Sequence, residues 1–109
     1  MNFSTAVQEF RQALPGTDAF KRVRVQCEQI IRNVPEQAAM CFVIGEFCRA
    51  YVLFYEDQEV SPEFAHQVKS QLLGYMDSLE VALGSADERT LSAALNQVVV
   101  AYAGKRGLV

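Results

Sequence analysis

The chain has 109 residues, 50% of them hydrophobic and 21% charged, with a formal net charge of −3. A chain of this length removes roughly two thirds of its unfolded surface from water, enough for one core without disulfide or metal support. That apolar content at low net charge excludes intrinsic disorder, and six glycines and three prolines exclude collagen-like and low-complexity classes.

The first apolar stripe, Phe3, Val7, Phe10 and Leu14, has the spacing of an amphipathic helix from about Asn2 to Leu14, ended by Pro15-Gly16. Thr17 or Asp18 then caps a second helix to about Val34, with Phe20, Val23, Cys27, Ile30, Ile31 and Val34 inward. Lys21, Arg24 and Arg32 fan along one flank of it. Pro35 opens the third segment at a first-turn position, where its missing N–H costs nothing.

Residues 38–55 are apolar on most sides. At 100° steps, Glu46, Arg49, Glu56 and Asp57 occupy an arc of roughly 100°, and Met40, Ile44, Phe47, Cys48, Tyr51, Phe54 and Tyr55 are among the side chains filling the remainder. A surface helix needs only one apolar stripe, so this helix is expected at the centre of the fold or at a subunit seam. It is barely long enough to cross a bilayer, and Glu46 and Arg49 lie in its middle, so a buried helix is expected rather than a membrane span.

Ser61-Pro62-Glu63 supplies an N-cap, a first-turn proline and an acid at the positive end of the dipole, which predicts a fourth helix running to Gly84. Ser85-Ala86-Asp87-Glu88 has the form of a capping box opening a fifth helix to about Ala103, with Leu91, Leu95, Val98, Val99 and Tyr102 inward. Gly104-Lys105-Arg106-Gly107 reads as its stop, followed by a short loose tail over 104–109. The expected fold is therefore all-α, a single domain over 1–109 with five helices and a largely buried third helix.

Chemistry is sparse in this pattern. His66 is the only histidine, and the helical projection turns it away from the apolar face, beside Lys69. An exposed imidazole with a neighbouring cation suits phosphoryl transfer, and His66-Gln67-Val68-Lys69-Ser70 resembles the H-x-L-K-G core of histidine phosphotransfer domains. The resemblance implies His66 as phosphoacceptor with Lys69 beside it. Gln71 stands where that family has a small residue.

Cys27, Cys41 and Cys48 with His66 make the ligand types of a Cys₃His zinc site, but each cysteine lies in apolar sequence, and no short-spaced pair could nucleate one. They are expected to be small buried hydrophobes, with no metal and no cofactor. Glu46 and Arg49 can pair across one helical turn. Residues 1–34 carry five basic against three acidic side chains, and 35–109 five against ten, a mild dipole that bears on partner choice. With a pI near 5.1, nucleic acid is not an expected partner.

There is no Gly-rich phosphate loop, no H-E-x-x-H and no G-x-S-x-G. The N-terminal residues lack the pattern of a secretory signal, and the odd set of cysteines has no disulfide framework, so the cytoplasm is the expected compartment. The expected function is a non-catalytic interaction or regulatory module, acting as a homodimer or adaptor. Its expected contact residues are Glu46, Arg49, Lys21, Arg24 and Arg32.

Overall fold

The computed structural model describes residues 1–105. Five helices follow one another: α1 Phe3–Gln12, α2 Thr17–Asn33, α3 Ala38–Tyr55, α4 Pro62–Gly84 and α5 Glu88–Gly104, with a 3-10 turn at Pro35–Gln37 between α2 and α3. The described residues contain no strand, so the all-α expectation holds.

α2 and α3 share the most extensive interface of the bundle. They run antiparallel: Cys27 and Cys41 line one cleft near the connecting turn, and Lys21 pairs with Glu56 at the far ends. α1 lies across α2 and α4, and α4 carries α5. The core is aromatic at its centre. Phe20 stacks on Tyr51 with ring centroids 4.2 Å apart and meets Phe10 edge-on at 5.4 Å, while Phe47 receives Tyr75 and Tyr102. Such pairs add directional preference to the burial of large rings.

α3 supplies Met40, Cys41, Ile44, Phe47, Cys48 and Tyr51 to the core. Together with the 3-10 turn it is long and apolar enough to cross a membrane by length and composition, with a mean hydropathy of 1.5 over its best window. Core helices of soluble bundles pass the same test.

The helix boundaries depart from the sequence expectation where turn chemistry overrides periodicity. Leu14 lies on the apolar stripe of α1 but falls outside the helix and is 86% exposed. Pro15 disfavours helical backbone at the residue before it, and Ala13 is already extended. Gly16, at φ 142°, is the residue before α2, so Thr17 lies inside the helix and is not its cap. Pro35 opens the 3-10 turn rather than α3 itself. Gln37 of that turn accepts the Phe3 N–H at 3.0 Å and so ties the start of α1 to the α2–α3 corner.

The expected Ser85–Glu88 capping box does not form. Ser85 Oγ donates back to the Ala82 carbonyl at 2.6 Å, and Asp87 is the cap of α5, accepting from the Arg89 N–H and the Thr90 hydroxyl. The left-handed residue closing this corner is Ala86, at φ 55°, and not Gly84, which stays helical. α5 continues through Gly104, which corrects the expected start of the loose tail, and residues 106–109 of that tail lie outside the described residues. Val98 is the only buried residue of α5, and Val99, expected inward, is 42% exposed.

Candidate functional site

The outer surface of the α2–α3 pair collects most of the expected contact residues. On α3, Phe42, Glu46, Arg49 and Leu53 follow one another at i, i+4, i+7 and i+11, so they form one row along the helix. Phe42 is 62% and Leu53 71% exposed. Between them, Arg49 Nε and Nη2 donate to the Glu46 carboxylate at 3.2–3.3 Å. An exposed pair of this kind contributes little stability, so its main effect is to present both charge signs between two apolar side chains.

α2 extends this surface. Arg24 and Glu28 face each other at 3.7 Å across one turn, and Lys21 reaches over to Glu56 of α3. The Glu56 hydrogen bond raises the Lys21 ammonium above its ordinary range. Val25 stands 53% exposed among these charges. One groove runs along Lys21, Arg24, Val25, Glu28, Val52 and Glu56, and a second, smaller cleft uses Arg24, Glu28, Phe42 and Glu46. Arg32 is exposed in the last turn of α2, where a cation offsets the negative end of the helix dipole.

Lys21, Arg24, Glu46 and Arg49 thus share one face, and Phe42, Leu53 and Val25 join it unforeseen. The sequence expectation assigned Phe42 and Leu53 no place on this face. Their spacing with Glu46 and Arg49 was the signal available in the sequence.

His66 is exposed on the first turns of α4, as expected. Lys69 is not its companion. Its ammonium donates to the Arg11 carbonyl at 3.0 Å and to the Ala13 carbonyl, and it lies 5.8 Å from the centre of the Phe10 ring. It satisfies carbonyls that the end of α1 would leave unpaired, and so is engaged with the backbone of another helix.

Cys27, Cys41 and Cys48 are all free and buried. Burial pushes the Cys48 thiol well above the ordinary range. Among the described residues no group of three or more His, Cys, Asp or Glu side chains is placed to hold a metal ion. Tyr51 and Tyr55 pack at a tilt with ring centroids 5.1 Å apart, and Tyr75 accepts from Gln71 Nε2 at 3.0 Å.

No family model matches the chain, and neither a curated protein nor a solved structure matches it.

Proposed function

We propose that the protein is a non-catalytic interaction module whose outer α2–α3 face binds a second copy of the same chain. The observation that carries this reading is the exposed row Phe42–Glu46–Arg49–Leu53, with Val25 and paired charges beside it. Scattered exposed hydrophobic residues need no explanation, but apolar side chains grouped along one face and rimmed by charge are the usual mark of a protein contact.

The charges select the occupant. The face holds Lys21, Arg24 and Arg49 against Glu28, Glu46 and Glu56, so it is close to neutral and carries both signs. A patch of one sign repels its own copy, whereas this one can set acid against base across a twofold axis, and isologous dimers need that self-complementarity. Arg32, at the end of α2, extends the basic side of the face.

Sedimentation at micromolar concentration tests the proposal. The expected result is a dimer for the natural chain and a monomer for Phe42→Asp with Leu53→Asp. Both positions are exposed, so helical content should stay unchanged. A natural chain that sediments as a monomer up to hundreds of micromolar refutes it. Phosphoryl transfer through His66 is the second reading, favoured by the exposure of the imidazole. It has to proceed without Lys69. His66→Gln should abolish an acid-labile phosphoryl label in that case and leave association untouched.

A further inference from the structure

The corner between α4 and α5 is short and strained. Ser85, Ala86 and Asp87 alone join the two helices, and Ala86 holds φ 55°. That left-handed backbone crowds the Cβ of an L residue, whereas alanine in a right-handed helix is the best helix former. The backbone bonds of the corner are long: 3.2 Å from the Ser85 N–H to the Ala82 carbonyl and 3.3 Å from the Ala86 N–H to that of Leu83. A typical bond of this kind measures about 2.9–3.0 Å. A helical Ala86 would instead pair the last carbonyls of α4 with the first amides of α5.

α5 is held to the rest of the chain by apolar contact. Between Thr90 and Gly104 no side chain is charged, so no ion pair ties this stretch to α4. Val98 is buried, Leu91, Leu95 and Tyr102 pack against the core, and the Tyr102 ring lies 5.1 Å from that of Phe47. A second copy presents the same receiving surface and can take up α5 with the same contacts. Outside the corner, Val81 is 76% exposed on a groove shared with Asp77, Ser78 and Thr90, where two straightened helices would pass each other.

We propose that α5 swaps between two copies of the chain: Ser85–Asp87 becomes helical, α4 and α5 join into one helix from Pro62 to Gly104, and each α5 docks on α4 and Phe47 of the other copy.

Once straight, the 17-residue α5 projects about 25 Å beyond α4 and cannot reach Phe47 of its own chain. In a pair of such chains every α5 contact is rebuilt, both Ala86 residues leave the left-handed region, and the two hinges cover each other at Val81. Swapping is a low-cost route to a dimer for this reason, and short strained hinges favour it. Closure within one chain competes at an effective concentration in the millimolar range, so the swapped pair accumulates toward that concentration. The inference does not rest on the outer α2–α3 face.

The test uses the full chain carrying Phe42→Asp and Leu53→Asp, so that the α2–α3 face makes no contribution. Carbon-13-labelled and unlabelled chains are mixed at millimolar concentration, warmed to near the melting temperature and cooled. The expected result is a dimer fraction by sedimentation, with an isotope-filtered NOE from the ring of Phe47 in a labelled chain to the ring of Tyr102 in an unlabelled one. Ala86→Gly accepts the left-handed corner and weakens the helix, so it should lower the dimer association constant by more than about a hundredfold. Ala86→Val should raise it. Ala86 is exposed, so neither substitution touches the core. The proposal is overturned if no dimer forms, if the Phe47–Tyr102 NOE in the dimer stays within one chain, or if Ala86→Gly leaves the dimer unchanged. A natural chain that dimerises only with Phe42 and Leu53 intact leaves the α2–α3 reading standing and overturns the swap.

Discussion

Tyr51 is fully buried, and its hydroxyl has no hydrogen-bond partner among the described residues. Its ring stacks on Phe20 and packs at a tilt against Tyr55, contacts that a phenylalanine would keep. A buried polar group without a partner costs about 1–3 kcal/mol. Removing the oxygen frees about 10 Å³, and at about 24 cal/mol per Å³ of residual cavity the packing loss is about 0.2 kcal/mol. Tyr51→Phe should therefore stabilise the protein by about 1–2 kcal/mol, which for a domain of this size corresponds to about 5–10 °C in melting temperature. Parallel urea and thermal denaturation provide the measurement, with an unchanged urea slope showing that the unfolding transition itself is the same. Tyr75→Phe is the control in the opposite sense, since it strips Gln71 of its acceptor. If Tyr51→Phe instead lowers stability, the hydroxyl has a partner and the reasoning fails.

Stability should decline on the alkaline side. Burial raises Cys48 above the ordinary thiol value of 9.0 and Tyr51 above 10.0, and Cys27 is raised as well. These groups resist ionisation more when folded than when unfolded, so their contribution is whole below pH 9 and is lost as pH rises beyond it. The urea midpoint should fall between about pH 8 and about pH 10.5, and a flat midpoint would contradict the burial of these groups. Lys69→Met removes the donor to the two carbonyls at the end of α1 and should cost about 1–2 kcal/mol. The loss should appear as melting at lower temperature, with the accessibility of His66 to diethyl pyrocarbonate unchanged. A neutral effect on melting would mean that the Arg11 and Ala13 carbonyls are satisfied by solvent.

The five helices were legible because their apolar residues repeat at helical spacing over long stretches, and Ser61-Pro62 marks its boundary in unambiguous chemistry. The corners were less so. Ser85, Asp87 and their neighbours offer two caps within three residues, and the choice depends on which backbone amide each oxygen meets, as it does when Ser85 turns back to Ala82. Leu14 fits the periodicity of α1 but loses to Pro15.

The contact face was half legible. Glu46, Arg49, Lys21 and Arg24 stood out by charge, whereas Phe42 and Leu53 were hidden because an apolar residue on α3 was expected to be covered. That Cys27 and Cys41 line one cleft depends on the angle and register of two helices, which spacing along one helix does not encode. Lys69 was misread for the same reason: its partners are 58 and 56 residues away in sequence.

The thin attachment of α5 sets an order of opening within the bundle. With Val98 alone fully covered and α4 as its main support, this helix commits little apolar surface, while α2 and α3 commit most of theirs to each other. Amide hydrogens of α5 should therefore exchange through a partial opening well below the free energy of global unfolding, and those of the α2–α3 seam only with it. An opening of this kind would lift Tyr102 from Phe47 and wet one end of the aromatic core, and the exchange pattern would report it as a four-helix form.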